Sequence, residues 1–452
     1  MDGGTIAALS TPAGRGGIAV IRISGDLTQE IVRKIVESVP GNIKDRYAYY
    51  SFIIDSGKRV EECIFTLFKS PNSYTGEDVV EISTHSNPFL AESVLKQIFD
   101  KGAREALPGE FTFRAFKNGK IDLIQAESVN ELINANSKYY AEMKFGNLEG
   151  KLSEFLGELK KELIGLAVKA ESIIEFQEDQ SLENIEFTPE LESSKLRIDK
   201  IISSYRFNDV LDKGLQVVIV GKTNVGKSSL FNSLLLEDRS ITSSIPGTTR
   251  DFIREKIYIK GYPVELTDVA GINSGSDDDI EKLGIKRSMD IVENSDAVIF
   301  LLDGAAGIDD NDRVIYDLIK EKKKIILINK ADIINKDAVI SAEAEFGNGK
   351  LLELSVLENT GMEKIYDFIS SVISNLGENR AEISVNQRQR NLLEEISGNL
   401  EKIKEMMMSE DPDIELVAEE MRSSIKGIGK LLGEVTSDDI LGKIFSDFCI
   451  GK

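Results

Sequence analysis

The stretch Val217-Val218-Ile219-Val220-Gly221-Lys222-Thr223-Asn224-Val225-Gly226-Lys227-Ser228-Ser229 constrains the fold of this chain more than any other. A β-branched apolar run leads into the spacing G-x-x-x-x-G-K-S, and residues with helical character follow. That order predicts a buried strand, a glycine-rich loop and the first turn of a helix, the architecture of a phosphate-binding loop. Glycine lets the backbone curl until successive N–H groups point at phosphate oxygens. Lys227 can then reach the terminal phosphates, Ser228 can offer its hydroxyl to Mg²⁺, and the positive end of the helix adds to the field.

The rest of the chain narrows what such a loop serves. At 452 residues it is long enough for about two to four domains. No apolar run approaches the roughly 18 residues of a membrane span, and Met1-Asp2-Gly3-Gly4 lacks the basic and apolar regions of a secretory signal. Two cysteines, Cys63 and Cys449, cannot build a disulfide framework or a zinc cluster, and a cytoplasmic protein is expected. A single histidine, His85, read as structural, rules out multi-His metal sites and His-based triads within one chain that need a second one. The formal charge of −22 opposes general binding to nucleic acid, so any such role calls for a local basic patch or a basic partner.

Periodicity divides the chain into an α+β segment over residues 1–117, helical segments over 118–212 and 377–452, and an α/β block over 213–376. In the first, Gly17–Ser24, Val60–Phe68 and Val79–Ser83 alternate like strands, and Leu90–Phe99 has helical spacing. Ile121, Leu123, Ile124, Val129, Leu132 and Ile133 predict one apolar helical stripe, and Phe155, Leu156, Leu159, Leu163, Leu166 and Ala167 another. Val217–Val220, Ala297–Leu302, Ile325–Ile328 and Leu351–Leu354 read as buried parallel strands, and Glu255–Ile259 with Val264–Thr267 as a hairpin turning at Lys260-Gly261. The expected fold is therefore multidomain α/β and α+β, with a Ras-like P-loop domain inserted into a discontinuous helical domain.

Further parts of a nucleotide site follow in order. Asp268-Val269-Ala270-Gly271 closes a strand, where an Asp can hold the Mg²⁺ shell and a glycine N–H can face a γ-phosphate. Gly247-Thr248-Thr249-Arg250-Asp251 lies where a first switch loop belongs, and a Thr there ligates Mg²⁺ only when γ-phosphate is present. Arg250 reads as an arginine finger or as a solvated loop charge. Asn329-Lys330-Ala331-Asp332 is an N-K-x-D guanine selector: the Asp332 carboxylate accepts from both N1–H and the exocyclic amine, and Lys330 packs along the base. Ser355-Val356-Leu357 completes the base-contacting set. The GTP residues expected are thus Asn224, Val225, Gly226, Lys227, Ser228, Ser229, Ser243, Ser244, Ile245, Pro246, Gly247, Thr248, Thr249, Asp268 to Gly271, Asn329, Lys330, Asp332 and Ser355 to Leu357. Ile272 and Asn273 follow Gly271 where Ras-like proteins place a water-orienting Gln, so another group is expected to orient water.

The remaining motifs are Thr5-Ile6-Ala7-Ala8, Gly14-Arg15-Gly16-Gly17 through Gly25, Tyr74-Thr75-Gly76-Glu77-Asp78, Pro108-Gly109-Glu110-Phe111-Thr112 and the terminal Phe445-Ser446-Asp447-Phe448-Cys449-Ile450-Gly451-Lys452. With the nucleotide motifs, the whole chain resembles the MnmE (TrmE) family of tRNA-modification GTPases. The resemblance implies an N-terminal domain that binds tetrahydrofolate, in a 5,10-methylene or 5-formyl form, and dimerises. It implies a homodimer that works with an FAD-containing MnmG-type partner in a heterotetramer. That assembly would add an aminomethyl or carboxymethylaminomethyl group at C5 of the tRNA wobble uridine. It also implies GTP hydrolysis stimulated by K⁺ and by G-domain dimerisation.

Residue by residue, Asn224, Ser243, Ile245 and Thr248 match the family's K⁺ ligands, and Ser228 and Thr249 its Mg²⁺ ligands. Glu281, in Glu281-x-Leu283-Gly284-Ile285, matches the water-orienting acid, with Asp279 as an alternative. Arg22, Glu77, Lys120 and Lys452 match the folate positions, and Cys449 matches the cysteine linked to modification. Val269 stands where the family usually carries Thr. Two other readings are a ribosome-assembly GTPase switch and a folate-dependent aminomethyltransferase with a regulatory G domain.

Overall fold

Alternating burial builds the N-terminal sheet. In β4 (Lys58–Phe68) Glu61, Cys63, Phe65 and Leu67 turn inward while their neighbours turn out, the period of a strand with one covered face. β1 (Ile6–Leu9), β2 (Gly16–Ser24), β3 (Ala48–Asp55), β5 (Val79–Ser86) and β6 (Arg104–Glu105) complete a six-stranded sheet in the order β3-β4-β5-β2-β1-β6. All neighbours pair antiparallel except β1 and β6. Ile21, Ile23, Phe65, Val80 and Ile82 share one core with Ile31 and Val32 of helix Thr28–Ile35 and Val94 and Ile98 of helix Pro88–Asp100. The opposite face of β2 and β5 is left to Arg22 and Glu81, which are cross-strand partners. His85 is exposed, with its Nδ1 2.7 Å from Glu61 Oε1.

The computed structural model describes residues 3–175, 188–238, 253–268, 289–346, 351–376, 383–409, 412–435 and 438–451. It divides into two compact units, one of Met1–Asn134, Lys144–Lys195 and Asn391–Lys452, the other of Ala135–Met143 and Leu196–Arg390.

In the first unit, helix Leu123–Ile133 opens on a capping box between Asp122 and Gln125, which satisfies two otherwise orphaned amides. This cap starts the helix after Ile121, and Ile133 at its far end is exposed, so the expected stripe is shorter at both ends. Helix Lys151–Glu175 buries Leu152, Leu156, Leu159, Leu163, Leu166 and Ala170, and packs against helix Ile414–Leu432. Each fully buried leucine is worth ~1.5–3 kcal/mol. Phe445 and Phe448, from the end of the chain, join Leu123, Ala126 and Leu441 in a small core. Phe113 meets Phe445 edge-on at 5.3 Å.

The second unit is a six-stranded α/β sheet in the order β12-β11-β10-β7-β9-β8, with β7 (Leu215–Val220), β8 (Ile253–Ile259), β9 (Tyr262–Asp268), β10 (Ala297–Asp303), β11 (Lys324–Asn329) and β12 (Leu351–Glu353). Only β8 and β9 pair antiparallel, turning at Lys260-Gly261. The β-branched runs read from the sequence are explained by two covered faces. Val217 and Ile219 of β7, with Ile299 and Leu301 of β10, enter one core, while Val218, Val220, Val298 and Phe300 enter another. With both faces apolar, the polar chemistry of the domain is confined to the strand ends.

Candidate functional site

Three strand ends converge on the glycine-rich loop. β7 ends at Val220 and helix Lys227–Asp238 begins seven residues later, with Asn224 at φ 64 and Gly226 at φ 102 in between. Both fall in the left-handed region, where Asn and Gly are the residues tolerated best. A side chain at Gly221 would put its Cβ 2.4 Å from the Leu301 carbonyl oxygen, so β10 leaves space there for hydrogen alone.

Lys227 is buried and folds back over the loop, its Nζ donating to the carbonyls of Gly221 and Lys222 at 2.9 and 2.8 Å. Burial lowers its pKa, with Asp268 opposing; a desolvated ammonium of this kind gains strongly from a polyphosphate. The β7–β9 register sets Asp268 beside Ile219, and Ser228 Oγ donates to Asp268 Oδ2 at 2.8 Å. The other oxygen, Oδ1, is buried and has no hydrogen-bond partner among the described residues. A hydroxyl facing a half-satisfied carboxylate suits a hard, oxygen-seeking cation such as Mg²⁺.

At the base end, Asn329 is held between two loops. Its Nδ2 donates to the Val225 carbonyl at 2.7 Å and its Oδ1 accepts from Val356 N at 3.1 Å. The side chain is thereby a clamp between the phosphate loop and the Ser355–Leu357 loop. Lys330, at φ 66, sends Nζ to Asp303 Oδ2 at 2.6 Å. Burial alone would raise the Asp303 pKa, but Lys330 and the amides of Ala305 and Ala306 hold it below the usual carboxylate range. Asp332 Oδ1 accepts from the buried Ser355 Oγ at 2.7 Å, which orients the carboxylate. Val356 contributes its amide, and Leu357 is 87% exposed. Asp303 carried no motif signal, although an Asp ending an apolar strand is a position from which a loop can be braced.

Ser243, Ser244, Ile245, Pro246, Gly247, Thr248, Thr249, Arg250, Val269, Ala270, Gly271, Asp279, Glu281 and Lys452 lie outside the described residues.

The other unit carries the second cluster, and here the expected set divides. Arg22 pairs with Glu81 through Nε and Nη2 at 3.0 and 2.7 Å, and lies 5.6 Å from the ring centres of Tyr74 and Phe111. Tyr74, Glu81 and Lys120 help line a cavity of about 450 Å³. Lys120 Nζ donates to the Pro71 carbonyl at 2.9 Å. Glu77 is not with them. It receives Arg114 Nη1 at 2.9 and 3.1 Å and Ser24 Oγ at 2.7 Å, and lines a separate cavity of about 380 Å³. Arg114 also bonds Glu110, which Arg104 holds from its other side. Glu77 thus belongs to a structural ladder of charges, and Glu81 is the acid beside Arg22. Strand alternation puts Glu81 and Arg22 on the uncovered face, and the β2–β5 register pairs them.

The chain's end is docked beside Arg22. Gly109 N donates to the Cys449 carbonyl at 3.3 Å. The Gly451 carbonyl accepts from Ser10 Oγ at 3.1 Å and from Arg22 Nη1 at 3.3 Å. Gly451 has φ 93, and a Cβ there would lie 2.3 Å from the Leu9 carbonyl oxygen. Cys449 is exposed. Cys63 is buried, and burial followed by the Glu61 charge pushes its thiol up to about 12. Since the thiolate is the reactive form, Cys449 is the accessible thiol and Cys63 is inert.

Comparison with known proteins adds to this geometry. The MnmE helical domain model matches residues 123–449, and the model of the GTP-binding protein TrmE N-terminus matches residues 5–120. The tRNA modification GTPase MnmE of Aquifex aeolicus (strain VF5) is 37% identical over 450 residues, covering 99% of both chains. That of Thermotoga maritima is 36% identical over 450 residues, covering 99% of this chain and 100% of its own. Among the described residues, no helix is long and apolar enough to cross a membrane.

Proposed function

Because the chain belongs to the MnmE (TrmE) family of tRNA-modification GTPases, and is a GTP-hydrolysing enzyme of tRNA modification, we propose the following division of labour. GTP turnover in the α/β unit drives addition of an aminomethyl or carboxymethylaminomethyl group at C5 of the wobble uridine. The enzyme acts as a cytoplasmic homodimer with an FAD-containing MnmG-type partner, and a bound tetrahydrofolate supplies the one-carbon unit. The domains run over 1–117, 118–212 with 377–452, and 213–376.

Asn224 to Ser229 cradle the phosphates. Ser228 and Asp268, with Thr249, take the Mg²⁺ side of the site. Asp332, oriented by Ser355, selects guanine, and Lys330, braced by Asp303, covers the base. Asn224, exposed at the loop tip in a left-handed conformation, takes K⁺ with Ser243, Ile245 and Thr248. Glu281 orients the attacking water, with Asp279 as the alternative. Folate occupies the cavity lined by Tyr74, Glu81 and Lys120, and Arg22 and Lys452 serve its anionic tail.

One observation carries this reading. The segment bearing the accessible Cys449 is hydrogen-bonded to Arg22 and Ser10, which brings the thiol's segment to the folate cluster. Mass spectrometry of the wobble uridine in tRNA from cells lacking the chain tests it. Wild type is expected to restore the C5 modification and Cys449→Ser to leave it absent. Modification that persists without the chain would move the ribosome-assembly reading to the front.

The split between Glu77 and Glu81 gives a second prediction. Arg22→Met and Lys120→Met are each expected to weaken tetrahydrofolate binding by about tenfold or more, the loss of one charge-assisted contact. Glu77→Gln should leave that affinity within about twofold while lowering the melting temperature by a few degrees, because it strips a charge from the Arg114 ladder. Calorimetric titration and thermal melts read both, and a folate loss confined to Glu77→Gln would reverse the assignment.

A further inference from the structure

Lys222 lies in the phosphate loop and matches no nucleotide-binding motif position, yet it makes the most heavily braced contact of that loop. Its Nζ donates to Gly307 O at 2.9 Å, Asp309 Oδ2 at 3.0 Å and Asp312 Oδ2 at 2.9 Å. Burial would lower its pKa, but the two carboxylates hold it above the ordinary lysine value. Its side chain is 13% exposed and that of Asp312 is fully buried. Asp309 and Asp312 also form the capping box of helix Asp310–Leu318, which fixes both carboxylates independently of Lys222. Asp312 Oδ1 is buried without a hydrogen-bond partner among the described residues, so Lys222 is the cation that makes this carboxylate tolerable there.

The same turn is tied to the base end. Asp303 receives Lys330, Gly304 N donates to the Asn329 carbonyl at 2.9 Å, and Asn335 N donates to the Gly304 carbonyl at 2.8 Å. A Cβ at Gly304 would lie 2.7 Å from the Asn329 carbonyl oxygen. The turn from Asp303 to Asp312 therefore grips the phosphate loop with one end and the guanine-selecting loop with the other.

We propose that Lys222 is a positioning residue for nucleotide binding, acting through Asp309 and Asp312 to hold the phosphate loop in register with the base-selecting loop. It touches no phosphate itself, because its ammonium is turned away into the acidic pair. This rests on Asn224–Ser229 as the phosphate cradle. A cradle held in shape serves ground state and transition state alike, so its loosening appears as weaker binding at unchanged turnover.

In the full-length protein, Lys222→Met is expected to raise the GTP KM and the Kd of a fluorescent GDP analogue together by about tenfold, with kcat within about twofold. Lys222→Arg should restore most of the affinity, since Arg keeps the charge and the donors. Asp309→Asn keeps a good helix cap at a half-exposed site, so it folds even where Lys222→Met does not. It should weaken GDP by about threefold, and the Lys222→Met/Asp309→Asn double variant should be no weaker than Lys222→Met alone. Unchanged affinity in Asp309→Asn, or additive losses in the double variant, would overturn the inference. A wild-type protein that binds neither nucleotide would instead overturn the cradle reading beneath it.

Discussion

Gly226→Ala is expected to weaken both GTP and GDP binding by at least about 100-fold, since errors near 1 Å in a positioned site have effects of that order. A Cβ at this position would lie 2.3 Å from Asn329 Nδ2, and the residue sits at φ 102, a conformation that strains any L side chain. The added methyl must push the Asn329 amide away. That amide bonds Val225 O on one side and Val356 N on the other, so one atom breaks the clamp between phosphate cradle and base loop. The loss should be far larger than one hydrogen bond of about 1 kcal/mol, because two loops lose register together. The strands beneath are buried on both faces, so the domain should stay folded. Equilibrium titration with a fluorescent GDP analogue, with a thermal melt as control, measures this. Binding within about threefold of wild type would show that the clamp does not hold the site.

Asp332→Asn should convert a guanine-selective site into one that no longer prefers GTP. The carboxylate is oriented by the Ser355 hydroxyl at 2.7 Å, and Asn keeps an oxygen for that bond, so the side chain holds its position while its chemistry changes. An amide presents an N–H where guanine also presents donors. Two charge-assisted hydrogen bonds of ~1.5–3 kcal/mol each are then lost, and GTP affinity falls by roughly 10²–10⁴-fold. Xanthosine triphosphate, which carries a carbonyl where guanine carries its amine, should now bind better than GTP. Competition of GTP, ATP and xanthosine triphosphate against one fluorescent nucleotide decides it; a retained preference for GTP over both competitors would remove Asp332 from base selection.

Local chemistry made much of the α/β unit legible. The strands at Val217, Ala297, Ile325 and Leu351 were readable because a strand covered on both faces has only apolar positions to offer. The hairpin turn was readable because Lys260-Gly261 both adopt positive φ. Strand alternation likewise exposed β2, β4 and β5, whereas β1 and β3 went unread. β1 has only four residues, IAAL, and shows no alternation. β3 is an edge strand whose tyrosines are mostly not buried.

Where the acidic partners lie was not legible in the same way. Glu77 and Glu81 stand four residues apart, and both sit near an arginine only after folding. Register sends Glu81 to Arg22, while helix Glu110–Lys117 brings Arg114 to Glu77. Asn329 reads as one residue of the guanine-selecting motif and becomes a clamp because Val225 and Val356 arrive on either side of it. Lys222 holds no motif position and becomes a brace because Asp309 and Asp312 arrive beside it.

The sequence by itself determined the phosphate-loop and guanine-selector motifs, the order of the six strands of the α/β unit along the chain and the family. These depend on backbone freedom, hydrophobic period and functional groups held at short spacing. The tertiary structure alone decided which carboxylate meets which cation, and that the last residues of the chain dock beside Arg22 through Gly451. Such contacts join residues far apart in the chain, and their selection rests on sheet register, on the face a side chain takes, and on space that only glycine leaves open.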